Sequence, residues 1–317
     1  MTKLAFLFPL LSGVSWGSAG IFIRQISDFG FNSVTMLSSR VFVGSIMMFF
    51  VILFTKKEYL KIRMKDFWLF FLAAVLGTMA MNLCYNISLN TLTLSLASLL
   101  MGIAPIYVLI MAAIIFKEKL TRKKVICMII AAAGCVMVSG VLEESGGISL
   151  DTMGLILGVI SGFSYAVYSI FSKLIAERGY HALTITFYCS FICAVVSAPF
   201  TDWQILGSAV AERPFVNSVW IALYALFVGV LPYILYNISF KYMEAGKASI
   251  LAMSEPVTAM IFGIIIYSEI PSVIGFAGMI LTIAALIIMS LPDKNPPANI
   301  TEQLAEDSFK AKSAADL

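Results

Sequence analysis

Charge is scarce in this chain. Asp, Glu, Lys and Arg make up 12% of its 317 residues, about half the ~25% of an ordinary soluble domain. Histidine is nearly absent: His181 is the only one, which excludes a His-rich metal site and a bis-His haem. The five cysteines (Cys84, Cys127, Cys135, Cys189 and Cys193) form no C-x-x-C and all fall in apolar stretches. They read as small buried side chains and imply no disulfide framework. No G-x-x-x-x-G-K-[ST] occurs, so there is no phosphate loop for ATP hydrolysis.

What the chain has in excess is apolar surface. Hydrophobic residues make up 60% and the mean hydropathy is +0.96. A soluble fold cannot hide that much. A cytosolic enzyme, a nucleic-acid-binding protein and a disordered scaffold are excluded, and a multi-pass membrane protein remains. Apolar runs stand near 4–23, 31–54, 67–88, 91–115, 123–142, 151–173, 182–200, 217–240, 245–267 and 272–291. Each has the length of one crossing. They lack the alternation of strands, and only helices or closed barrels satisfy the backbone in lipid, so ten helices are expected. Residues 293–317 form a polar tail expected to be disordered.

Met1–Gly20 resembles a signal peptide, with Lys3, an apolar run and small residues. A partner later in the chain argues for a retained first helix. Ser12-Gly13, Ser15-Trp16, Ile21-Phe22 and Arg24 match Ser161-Gly162, Ser164-Tyr165, Ile170-Phe171 and Lys173 at an offset of 149. A second match is stronger. Tyr85-Asn86-Ile87-Ser88 recurs as Tyr236-Asn237-Ile238-Ser239, and Ala97-Ser98, Pro105 and Glu118 recur as Ala248-Ser249, Pro256 and Glu269. Over positions 85–118 the ungapped offset of 151 gives 12 identities in 34. Apolar composition alone does not place Asn, Pro and Glu in register.

The chain therefore reads as two five-helix halves, residues 1–145 and 146–292. An odd helix count inverts the second half relative to the first, a frequent plan for secondary transporters. With the N-terminus inside, 18 of the 21 basic residues fall in cytoplasmic segments, leaving Arg24, Arg40 and Arg213. The positive-inside rule then places both termini in the cytoplasm. The repeat agrees. Lys117-Glu118-Lys119 becomes Ser268-Glu269-Ile270: the Glu stays and the basic residues go, as inversion demands. The basic loops set topology and meet anionic lipid heads; no nucleic-acid partner is expected.

At these residues the chain resembles the drug/metabolite transporter superfamily, in its EamA-like branch, over about 4–292. The resemblance rests on Trp16-Gly17, Arg40, Ala97-Ser98…Pro105…Glu118 and Ala248-Ser249…Glu255-Pro256-Val257…Glu269. It implies a ten-helix carrier that exports amino acids, metabolites or drugs across a bacterial cytoplasmic membrane. Trp16-Gly17 becomes Tyr165-Ala166 in the second half, so the two copies differ there.

Ionisable residues inside a span are candidates by default, because a charge there costs about 2.5–3.5 kcal/mol or more. Glu255 is the one acid well inside a span, on a small-residue stripe with Ala248, Ala252, Ala259 and Gly263. It reads either as a proton-titrating or cation-binding carboxylate, or as a packing acid beside the Pro256 kink. Arg40 reads either as a fork for a substrate carboxylate, or as a structural partner of Glu255 or of helix-end carbonyls. Pro105 and Pro256 free the carbonyls of Met101 and Ala252 and are expected to be paired hinges. Trp16, Tyr165, Tyr168, Asn82 and Tyr233 are expected to line a cavity, whereas Tyr85-Asn86 and Tyr236-Asn237 suit helix-end roles. Glu118 and Glu269 are expected at opposite membrane faces, at helix ends, closing a gate or holding structure.

A secondary transporter of a small metabolite fits best, with protons as a partner if Glu255 titrates. One chain is expected to form a whole pathway, so a monomer suffices, with no cofactor and no metal. The alternatives are a gradient-independent facilitator or exchanger, or a nucleotide-sugar-type antiporter, which needs more basic residues in its cavity than Arg40. An intramembrane enzyme lacks its Ser/His, paired Asp or metal ligands.

Overall fold

A computed structural model describes residues 4–89, 91–143 and 151–291. The expected tail at 293–317 and residues 144–150 of the joint between the halves lie outside the described residues. Among the described residues there is no strand. The helices are α1 (Leu7–Gly17), α2 (Ala19–Ser27) and α3 (Ser33–Thr55), then α4 (Met64–Ser88). They continue as α5 (Leu94–Gly102), α6 (Ala104–Ile115), α7 (Arg122–Val138), α8 (Thr152–Glu177), α9 (Ala182–Ser197) and α10 (Trp203–Glu212). The last are α11 (Pro214–Ser239), α12 (Ala245–Ala252), α13 (Ser254–Tyr267) and α14 (Val273–Ser290). Eight stretches are long and apolar enough to cross a membrane: α3, α4, α5 with α6, α8, α9, α11, α12 with α13, and α14. The remaining apolar runs are shorter: α1 and α2 are separated at Ser18, and α7 has 17 residues.

Local chemistry sets the starts. Asn32, Thr121, Asp151, Asp202 and Ser272 each place a side-chain oxygen on a backbone N–H of the first turn. Those N–H groups have no partner within the helix. The breaks are equally local. Pro105 and Pro256 stand at the second and third positions of α6 and α13, where they withhold the donors that the Met101 and Ala252 carbonyls need. Each long apolar run is interrupted two or three residues ahead of its proline, at Ile103 and Met253. The first run, expected as one helix over 4–23, breaks at Ser18. Its hydroxyl donates to the Ser15 carbonyl at 2.6 Å and competes with the helical ladder. The matching stretch of α8 is unbroken.

Packing interlocks the two copies of the repeat. α1 lies against α11, α12 and α13; its counterpart α8 lies against α4, α5 and α6. A glycine makes each approach close. A Cβ at Gly13 would stand 2.5 Å from the Ala252 carbonyl oxygen, and one at Gly162 would stand 2.9 Å from that of Leu100. Small residues at such crossings let backbones touch. Two stretches wind as π-helix, Ala73–Met79 in α4 and Ala225–Val230 in α11. The offset of 151 nearly superposes them. Such widened turns recur at functional sites.

Candidate functional site

The centre of the molecule is aromatic. Trp16 meets Tyr233 edge-on at 5.3 Å and Tyr165 at 6.0 Å between centroids, with Tyr236 at 5.7 Å. Tyr168 meets Tyr233 edge-on at 5.2 Å. All are buried, so α1, α8 and α11 converge here through large aromatic side chains. Edge-to-face geometry fixes the rings relative to one another.

Tyr236 and Asn237 correct the expectation of a helix-end role. Both side chains turn inward. The Tyr236 hydroxyl lies 3.1 Å from Ser169 Oγ. Asn237 Nδ2 donates to the Tyr168 hydroxyl at 2.9 Å and to Thr186 Oγ1 at 3.1 Å. The Asn237 Oδ1 atom is buried without a partner. In the first-half copy the Tyr85 hydroxyl lies 3.0 Å from Ser98 Oγ.

Arg40 stands beside this cluster, 6% exposed. Its Nη2 donates to Asn82 Oδ1 at 2.7 Å, and Asn82 Nδ2 donates to the Thr78 carbonyl at 2.7 Å. The guanidinium carbon lies 5.5 Å from the Tyr224 ring centre. The alternative pairing with Glu255 does not form.

Glu255 sits at the start of α13, directly after the break. Among the described residues no hydrogen bond or ion pair reaches its carboxylate. Tyr85, Cys135 and Tyr165 lie within electrostatic reach. The packing acid expected to hydrogen-bond beside Pro256 is therefore not what stands here. The carboxylate is half-buried and unpartnered.

Glu118 and Glu269 occupy opposite ends of one span. Glu118 touches the first residues of α12, and Glu269 follows the last residues of α13. The stretch Ala245–Tyr267 has 23 residues, roughly 35 Å at 1.5 Å per residue. Lys117 and Ser268, which precede the two acids, both take a left-handed conformation, with φ of 56° and 53°. Both acids then donate their backbone N–H to matched carbonyls, Glu118 to Ala112 at 3.3 Å and Glu269 to Gly263 at 3.1 Å.

The surroundings differ. Glu118 Oε1 accepts from Lys173 Nζ at 2.6 Å and from the Ala245 N–H at 2.8 Å, and Oε2 accepts from the Gly246 N–H at 3.3 Å. Lys124 pairs with Glu244 alongside and stands 3.8 Å from Glu118 Oε2. A carboxylate on the first N–H groups of α12 also meets the positive end of that helix. At the other end Glu269 Oε1 accepts from Arg24 Nη2 at 2.6 Å, and Arg24 lies over the Tyr267 ring. The side chains of Lys173 and Glu118 are 8% and 4% exposed; those of Arg24 and Glu269 are 56% and 53% exposed.

His181 stays outside the site. Its ring caps α9 and stacks on Tyr59 at 4.2 Å. Burial, then the charges of Lys241 and Lys56, hold it below the ordinary histidine range. Among the described residues no group of three or more His, Cys, Asp or Glu is placed to hold a metal. Sequence reasoning missed Thr78 and the pairing role of Lys173. The match of Arg24 with Lys173, set beside that of Glu118 with Glu269, carries a signal for the second; an isolated Thr in an apolar run carries none for the first.

The sequence matches the EamA-like transporter family at residues 3–140 and again at 152–291. An uncharacterized transporter of Archaeoglobus fulgidus is 25% identical over 254 residues, which are 80% of this chain and 87% of that protein. The uncharacterized transporter YyaM of Bacillus subtilis is 25% identical over 275 residues, 84% of this chain and 87% of its own. A solved crystal structure superposes with a TM-score of 0.71 over 90% of this chain and 95% of that one, at 19% identity; the likeness is one of fold.

Proposed function

Because the chain belongs to the EamA-like transporter family, and is a multi-pass membrane transporter on that ground, we propose that it works by alternating access between two inverted five-helix halves. In this reading α1 with α2, and α7, are the ninth and tenth crossings. The halves are 1–145 and 146–292, and both termini lie in the cytoplasm. The membrane is the cytoplasmic one, one chain forms the pathway, and the cargo is an amino acid or a similar small metabolite moving outward.

One observation carries the proposal: the two repeat-matched ion pairs. Lys173 with Glu118 is buried, and Arg24 with Glu269 is exposed. The basic cytoplasmic end is thus sealed, and the opposite end is held only by a solvated pair. In the reverse state the roles exchange. Glu269 takes the first N–H groups of α5 as Glu118 now takes those of α12, and Glu118 lets go. At present α5 begins under the Thr93 hydroxyl, which accepts from the Leu96 N–H at 3.3 Å. The breaks at Ile103 and Met253 and the paired π segments are the hinges. Trp16, Tyr165, Tyr168, Tyr233 and Asn82 line the passage between the ends.

Glu255 supplies the coupling. An unpartnered carboxylate at membrane depth is costly when charged, so proton or cation binding relieves it at one stage of the cycle. The test is uptake into proteoliposomes of amino acids, nucleobases and organic cations, with and without a pH gradient. Wild type is expected to move one class faster with the gradient, and Glu255→Gln to lose the gradient dependence while folding normally. Uptake indifferent to both gradient and mutation would establish a facilitator or exchanger instead.

A further inference from the structure

Arg40 stands where the two copies of the repeat meet. α3 and α9 begin at Ser33 and Ala182, the offset of 149 already seen in the first span, and this matches Arg40 with Cys189. The offset of 151 matches Thr78 with Gly229. All four line one small cavity. Residues exchanged by a two-fold relation share a cavity only where its axis passes close by. In an inverted pair that axis lies in the membrane plane, near mid-depth, where a lone charge is most costly.

The charge there is unbalanced. Among the described residues its one hydrogen bond goes to the neutral Asn82. The Arg40 Nε is buried without a partner, and so is the Thr78 hydroxyl oxygen. Among the described residues no carboxylate pairs with the guanidinium. A guanidinium carries five N–H donors in a rigid fork, and a carboxylate is the group that fork matches in two parallel bonds. The second copy offers Cys189 and Gly229 at the matched places, without charge; its Thr186 and Ser190 hydroxyls also line the cavity, and Arg40 supplies the charge an anion meets there. The site is also built to keep its arginine. The Arg40 stem lies on Gly229 inside one π segment, where a Cβ would stand 2.7 Å from Cγ, and Thr78 belongs to the other π segment.

We propose that Arg40, with the Thr78 hydroxyl as second donor, is the subsite for a carboxylate on the transported molecule. The substrate class is then small carboxylic acids, amino acids among them. This rests on the transporter reading. The space beside Nε is now of water size, so a carboxylate enters as the two widened turns give way and thereby favours that arrangement.

The experiment is thermal unfolding of the full chain in lipid nanodiscs at constant chloride and ionic strength. The probes are acetate, propionate and benzoate, each against its amide. Wild type is expected to melt higher with increasing carboxylate and to ignore the amides. Arg40→Gln is expected to lose the response. Arg40→Lys, which keeps the charge and loses the fork, is expected to bind at least about tenfold more weakly, a difference of about 1.4 kcal/mol. Thr78→Val, which keeps the shape, is expected to weaken binding several-fold. Equal responses to acids and amides, or an unchanged response in folded Arg40→Lys and Thr78→Val, would overturn the subsite. Wild-type uptake of the same panel is read separately. Carboxylate binding without any uptake would sink the transporter reading alone, and equal uptake of acids and amides the subsite alone.

Discussion

Glu118 and Glu269 follow the same left-handed turn and accept different neighbours. Around Glu118 the helix start at Ala245 and Gly246 and the ammonium of Lys173 converge in a buried site. Around Glu269 one exposed guanidinium suffices. The two copies share the local backbone turn and differ in enclosure; in the proposed cycle that difference marks which end has closed. A buried pair is costly to break on one side, because the partner left behind is an uncompensated charge. An exposed pair gains little and is screened. In the proposed cycle one sequence device thus serves as a firm latch at one end and a loose one at the other.

The largest effect is expected from breaking the firm latch. Glu118→Gln leaves Lys173 with only the half-exposed Glu177, 3.9 Å away, and is expected to cost the observed arrangement up to about 3–5 kcal/mol. A clear drop in melting temperature in nanodiscs, together with loss of uptake, checks it. Next comes the contact the two ends share. Gly162→Ala puts a methyl 2.9 Å from the Leu100 carbonyl and is expected to cost about 1–3 kcal/mol, read by the same melts. Gly13→Ala should match it.

Charge reversal sharpens the contrast. Arg24→Glu with Glu269→Arg keeps the exposed ion pair and is expected to keep the wild-type melting temperature, but to recover no uptake, because an arginine at 269 cannot accept from the first N–H groups of α5 in the reverse state. Lys173→Glu with Glu118→Lys is expected to lower the melting temperature as well, because a lysine at 118 cannot accept from the Ala245 and Gly246 N–H groups in the observed state. Melting temperatures in nanodiscs, read beside initial uptake rates, separate these outcomes. The smallest effect on stability is expected from Arg24→Ala. Its melting temperature should stay at the wild-type value while uptake falls, since the pair matters in the state that is not the one observed.

Much of the fold was legible because apolar length and charge position obey simple rules. The helical class, the prolines at the breaks and the two acids at helix ends all follow from spacing. The break at Ser18 was not legible: its cause is a hydroxyl on the Ser15 carbonyl, and serines are tolerated in many unbroken helices. Within the site, Trp16 gathers Tyr165 and Tyr233 into one cluster; the repeat placed only Trp16 and Tyr165 well inside their spans. Tyr236 and Asn237 lie so near the end of α11 that periodicity gave them a turn role. Their inward direction depends on where α8 packs, which spacing does not encode. Thr78 and the π segments are of the same kind. A widened turn has no residue signature, and its place beside Arg40 comes from contacts between halves.

The central claim is that the two latches alternate. Spin-label distances across the Glu118 end and across the Arg24–Glu269 end, in wild type and in Glu118→Gln, test it most directly. The account predicts that Glu118→Gln lengthens the first distance and shortens the second together. A lengthening at the Glu118 end with no change at the other would contradict it.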